Sequence, residues 1–166
     1  MSPKATRLPA LFIAGAAGLT VRALYERLGR FEISEASMTP TLRPGDYVVT
    51  NRSCRPVCRG DIVVFEHPDR SSFYLVKRVV GLPGEHFSIA AGRILADGTP
   101  LDEPWTTDET GPDGAWELGP GEAFVLGDAR WRSNGDSRQI GPVPVEHLGR
   151  RVLLRYWPFE RFGPVR

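Results

Sequence analysis

From Phe31 onward, glycine or proline interrupts the apolar runs every ten or so residues, and no run keeps the 3.6-residue period of a helix. Such a chain must build its core from short strands. Phe31-Glu32-Ile33, Asp46 to Asn51, Gly60 to Glu66 and Phe73 to Val80 read as the first four. Phe87-Ser88-Ile89 and Arg93-Ile94-Leu95 form a hairpin through Gly92, and Asp97-Gly98 marks a second hairpin turn. Glu122 to Leu126 is a further strand, and Val152 to Trp157 is expected to close a barrel. Residues 103–121 are acidic and rich in Gly and Pro, so they read as a surface loop over Trp105 and Trp116. The 18 glycines and 15 prolines, about a fifth of the 166 residues, suit a mainly β domain of sandwich or barrel type. A net charge of +1 without a basic run argues against nucleic acid as a partner. His67, His86, His147 and two cysteines are scattered without metal-ligand spacing, so neither metal nor cofactor is expected.

One segment departs from this pattern. Lys4 and Arg7 precede an apolar run of 14 residues, Leu8 to Val21, which Ala23-Leu24-Tyr25 extends beyond Arg22. A membrane span needs about 20 residues, and the run reaches 18 if Arg22 snorkels to a headgroup. A single anchor helix within residues 1–30 and a cleavable signal peptide both fit. As an anchor, its basic flank would hold the N-terminus in the cytoplasm and send residues 31–166 across the membrane. Cys54 and Cys58 flank Arg55-Pro56-Val57, a spacing open to two thiols or to one short-loop disulfide.

Two stretches carry chemistry. In Ser37-Met38-Thr39-Pro40-Thr41-Leu42-Arg43-Pro44-Gly45-Asp46, two prolines deny the segment helix and ladder bonds, leaving a stiff loop that presents a hydroxyl. Ser37 is either an ordinary turn residue or a nucleophile. In Phe73 to Val80, period two puts Phe73, Leu75, Lys77 and Val79 on one face, so a lysine sits in an apolar row. Of 21 basic side chains only Lys4 and Lys77 are lysine. A desolvated lysine can lose its proton near neutrality, which arginine cannot. The competing role for Lys77 is an edge-strand guard with its stem on apolar neighbours.

Together these stretches resemble the type I signal peptidases, serine–lysine endopeptidases that release signal peptides from exported proteins. The resemblance runs through Ser37 to Leu42, Arg59 to Phe65, Lys77 to Glu85, Gly127-Asp128, Gly135 to Arg138, Gly141 and Tyr156-Trp157-Pro158. It implies Ser37 as nucleophile, Lys77 as general base and the Ser37 N–H as one oxyanion donor, with Met38 helping to desolvate the lysine. Many members place a hydroxyl two residues before the nucleophile; here Glu35 stands there, an acceptor-only group when ionised. The resemblance also implies a serine, two residues before Asp136, that supports the lysine; Ser133 fills that role with one residue inserted, or Asn134 does if the register holds. Asp136 and Arg138 are expected to form a structural ion pair. Ile33 and Ser34 on one edge, and Phe73 and Leu75 on the other, would hold an extended peptide with small side chains. The resemblance further implies signal peptides and membrane lipid as partners, and a cell-membrane enzyme anchored once, with its catalytic domain outside the cytoplasm. A maturation protease for one substrate, a self-cleaving repressor and a non-catalytic module that binds exported proteins are the alternatives.

Overall fold

The computed structural model describes residues 28–52 and 55–165, and in it the punctuated apolar runs become two antiparallel sheets. The larger sheet contains β1 (Leu28–Glu32), β2 (Tyr47–Arg52), β3 (Ile62–His67) and β4 (Arg70–Gly81). The smaller sheet consists of β5 (His86–Ala90), β6 (Arg93–Ala96), β7 (Thr99–Pro100) and β8 (Gly114–Glu117). The chain then returns to the larger sheet with β9 (Glu122–Leu126), β10 (Val143–Pro144), β11 (Arg150–Trp157) and β12 (Gly163–Pro164). The order across the larger sheet is β1-β2-β11-β3-β4-β9-β10, with β12 beside β11; the smaller is β7-β6-β5-β8.

The mainly β expectation holds, with four differences. The larger sheet runs from β1 to β10 and does not close, and β11 lies inside it rather than at a seam. On one side β11 pairs with β2 through two register shifts, and on the other it meets β3 only at Arg150 and Arg151. Bulges of this kind bend a strand away from a neighbour, and an open sheet results. Within the expected loop, Gly114–Glu117 pairs with β5, opposing Phe87 to Trp116. Four residues beginning with glycine carry too little alternation to be read as a strand; the tilted contact of the Trp116 ring with Phe124, centroids 4.6 Å apart, holds them in place. Single helical turns also occur at Arg130–Arg132, Ser137–Ile140 (α1), Val145–Leu148 and Phe159–Arg161, each too short to leave a period in sequence. Finally, the first described residues, Leu28–Glu32, are already strand, so β1 includes residues ahead of the Phe31 at which the sequence reading began it.

The whole apolar run, Leu8 to Tyr25, and with it the expected anchor helix, lies outside the described residues, as does Cys54; Cys58 is exposed. No helix among the described residues is long and apolar enough to cross a membrane.

The two expected hairpin turns are present. Ala91-Gly92 and Asp97-Gly98 all have positive φ, as a two-residue type I′ turn requires. At Gly81, a Cβ would come within 2.8 Å of Leu118 Cδ1 and of Phe124 Cβ, so β4 can approach the smaller sheet only with glycine there. Val80, Phe87, Ile89, Ile94, Phe124 and Leu126 fill the space between the sheets.

The 12-residue strand β4 orders the rest. Leu75 and Val79 face one cluster with Val63, Phe65 and Val125, while Val76 turns to another that holds Ile33, Met38 and Leu42. Period two is thereby obeyed, and Lys77 falls on the Leu75–Val79 face.

Candidate active site

The loop bearing Ser37 is the connection of the β1–β2 hairpin. Its neck is closed by Ile33 N–H donating to Asp46 O and Gly45 N–H donating to Ile33 O, both at 2.8 Å. Prolines at 40 and 44 prevent the ladder from continuing, so the intervening chain folds on itself, with Leu42 N–H donating to Met38 O at 2.8 Å. Met38 and Leu42 are fully buried and peg the loop to the core. Ala129 N–H donates to Ser37 O at 3.0 Å, holding the serine backbone from the opposite side.

Lys77 Nζ donates to Ser37 Oγ at 3.0 Å, across 40 residues of sequence. Lys77 is only 1 % exposed, and Ser37 is buried too. Burial pushes the lysine below its ordinary pKa. Asp136 and Glu35 pull it back up, Arg138 lowers it and Asp128 raises it, but desolvation wins. The edge-guard reading of Lys77 is therefore overturned: a guard lysine keeps its ammonium in water.

The cleft over this pair is small, about 80 Å³, with Ile33, Ser34, Glu35, Met38, Phe73 and Leu75 in its wall. All four residues expected to flank a peptide thus meet at one place. Phe73 is 38 % exposed and Ser34 is exposed at the rim, whereas Ile33 and Leu75 are buried beneath. A larger hollow of about 830 Å³ lies between β3 and residues 145–148, away from Ser37 and Lys77.

Ser133 is buried near the serine, but its hydroxyl donates to Asp136 Oδ2 at 2.6 Å rather than to the lysine. The cause is Asp136 itself. It caps α1, accepting from Arg138 N–H at 3.2 Å, and its two oxygens are clasped by Arg138 Nε at 2.9 Å and Nη2 at 2.8 Å. Burial would raise the Asp136 carboxyl, but the hydrogen bonds from Arg138 and Ser133 outweigh it and hold the group below the usual range. The Arg138 guanidinium also donates to the carbonyls of Gly111 and Arg130, so it ties three loops together.

Sequence reasoning assigned no role to the layer beneath. Arg78 Nε and Nη2 donate to Asp128 Oδ1 and Oδ2 at 2.8 and 2.7 Å, a forked pair with both side chains buried. Thr41 Oγ1 donates to Asp128 Oδ2 at 2.5 Å, and the Arg78 guanidinium lies 4.7 Å from the centre of the Trp105 ring. The strand of Lys77 and the loop of Ser37 are thus joined through one carboxylate. On the outer side, buried Asp46 accepts from Arg161 Nη1 at 2.8 Å, and Arg155 Nη1 donates to Thr41 O at 3.0 Å. The only sequence trace of this layer was position: Arg78 follows Lys77, and Thr41 and Asp128 lie in the stretches that carried the resemblance.

A buried amine beside a hydroxyl, under an apolar cleft on an open antiparallel sheet, can be compared with known proteins. The family of "Signal peptidase, peptidase S26" matches residues 5–157. The chain is 37% identical to a signal peptidase I of Leptolyngbya laminosa over 147 residues, covering 80% of this chain and 70% of that one. It is 34% identical to a signal peptidase I of Bacillus caldolyticus over 151 residues, with 80% and 81% covered. Among solved structures, a signal peptidase I from Enterococcus faecalis superposes with a TM-score of 0.52 at 28% identity, over 61% of this chain and 99% of that one. With a match over nearly its whole length, the chain belongs to the signal peptidase, peptidase S26, family and is an enzyme of the signal peptidase I type.

Proposed function

We propose that this protein is a membrane-anchored serine endopeptidase that removes signal peptides from exported preproteins, with Ser37 as nucleophile and Lys77 as general base. The observation that carries the reading is the 3.0 Å contact between a hydroxyl and an amine, both buried. In the working form Lys77 is neutral, and the same contact reverses: Ser37 Oγ–H donates to Nζ. The oxygen attacks the scissile carbonyl as its proton passes to the amine. The ammonium then gives that proton to the departing peptide nitrogen, and a water activated by the regenerated amine hydrolyses the acyl-enzyme. The Ser37 N–H supports the oxyanion. Met38 and Leu75 keep water from the amine, while Asp136, fixed by Arg138 and Ser133, acts on it through its charge.

The substrate would lie as an added strand between Ile33-Ser34 and Phe73-Leu75. A cleft of about 80 Å³ suits alanine-sized side chains. Peptides with Ala-X-Ala before the cut should be cleaved well and Leu-X-Leu peptides poorly; equal rates on the two would overturn the assignment. Lys4, Arg7 and the apolar run that follows support the anchor and an extracytoplasmic catalytic domain. Fractionation of the full chain tests that placement, with recovery in membranes expected.

Since only the neutral amine accepts a proton, kcat/KM should rise with pH along a limb set by Lys77. Because desolvation lowers that pKa, the limb should fall below the ordinary lysine range. A pH–rate profile with no ionisation below that range would contradict the role.

Gly127 supplies a further test. A Cβ there would sit 2.5 Å from Ser37 O and 2.3 Å from Ser133 Oγ. Gly127→Ala must therefore displace the serine backbone, and a shift of about 1 Å costs on the order of 100-fold in rate. Comparing kcat/KM for wild type and variant checks this.

A further inference from the structure

Two charged side chains of the cleft, Glu32 and Glu35, have no part in the reaction, and Glu35 is the nearer in sequence to the nucleophile. Glu35 lies in the same wall as Ser37 and Lys77 and is exposed at the rim. Only Ala36 separates it from the nucleophile, a span of at most about 7 Å of chain. When ionised, Glu35 can donate no hydrogen bond to an oxyanion. Glu32, exposed on β1, lines the same cleft and stands opposite Tyr47 across the β1–β2 hairpin. Among the described residues, the only basic side chain in the lining is Lys77. If Lys77 works as a neutral base, the occupied cleft presents net negative charge to whatever peptide enters it. Glu35 is felt at the reacting amine, where it opposes the effect of burial.

We propose that Glu35 is a specificity-determining residue that favours substrates with lysine or arginine within two residues of the scissile bond and disfavours those with aspartate or glutamate there. This rests on the Ser37–Lys77 reading above. An extended peptide advances about 3.3 Å per residue, so two positions on either side of the cut lie within reach of a long basic side chain from the Glu35 carboxylate. The carboxylate is at the rim, where solvent screens it. A pair of this kind is worth a factor of about two to five and weakens with salt.

The test uses the full chain in detergent and two peptide triplets that differ only at one position, bearing Lys, Gln or Glu. One triplet varies the residue between the two alanines before the cut, the other the second residue after it. In at least one triplet, wild type should follow the order Lys, Gln, Glu in kcat/KM, with about two- to fivefold per step at low ionic strength. Glu35→Gln should flatten that order, and 0.5 M salt should compress it in wild type. Rates that are level in both triplets, or an order that survives intact in Glu35→Gln, would overturn the proposal while leaving the dyad standing, provided Ser37→Ala abolishes cleavage. If wild type cuts none of the peptides, both readings fall together.

Discussion

Replacing Lys77 with methionine should leave a folded protein that no longer cleaves peptides. Methionine matches the lysine stem in length and apolar character, and the site it would fill, against Leu75 and Val79, is already shielded from water. Removing the ammonium also removes a buried charge, so thermal stability should hold or rise. Catalysis should not survive. A general base contributes about 100- to 10,000-fold, and Lys77 is the group hydrogen-bonded to the serine hydroxyl, at 3.0 Å. Lys77→Arg should be equally inactive for another reason, since a guanidinium stays protonated throughout the working range. Ser37→Ala should match them, with losses that do not add when combined, as expected of groups acting as a unit. The measurement is kcat/KM on an Ala-X-Ala peptide, with circular dichroism to show that each variant is folded. Retention of more than a few per cent of activity in Lys77→Met would remove the lysine from the mechanism.

Asp128→Ala is expected to have the largest effect on stability. It strands the Arg78 guanidinium in a site where both side chains are almost wholly buried, and it removes the acceptor of the Thr41 hydroxyl. Breaking a buried pair by deleting one partner costs about 3–5 kcal/mol. For a domain of this size that corresponds to a fall in Tm of roughly 10 °C. Arg78 would retain its bond to Gly60 O and its contact with Trp105, neither of which neutralises the charge. A paired change, Arg78→Met with Asp128→Leu, should recover much of the stability because no charge is left unpaired. It should not recover the rate, because Thr41 would still lack the carboxylate that ties the Ser37 loop to β4. Urea unfolding and kcat/KM, read together on the single and double variants, separate the two effects. A fall below about 1 kcal/mol in Asp128→Ala would show that the pair is not holding the site together.

These two sites differ in how far the sequence exposes them. Lys77 is conspicuous from residue types alone: an amine on the apolar face of a strand, in a chain that otherwise uses arginine. Its partnership with Ser37 was suggested by a resemblance rather than by spacing, since 40 residues separate the two and local periodicity does not act over such a distance. The Arg78–Asp128–Thr41 layer left a fainter trace. Arg78 follows Lys77 on the strand without any mark of its own, and its burial depends on Asp128, which is 50 residues away. Ser133 shows the converse. The resemblance placed it at the site, where it is found, but its hydroxyl belongs to Asp136 because a carboxylate at 2.6 Å is the stronger acceptor.

Residue order by itself determined the β character, the hairpins at Ala91-Gly92 and Asp97-Gly98, the stiff loop at Ser37 and the face of β4 that carries Lys77. Each follows from short-range sterics, namely φ freedom at glycine, φ restriction at proline and the two-residue period of a strand. Tertiary structure decided the rest: the open sheet with β11 inside it, the recruitment of Gly114–Glu117 as a strand, the fate of the Ser133 hydroxyl and the 3.0 Å approach of amine to alcohol. These depend on which buried groups find partners across tens of residues, and on a desolvation that exists only once β4 and the loop above it have closed over the lysine.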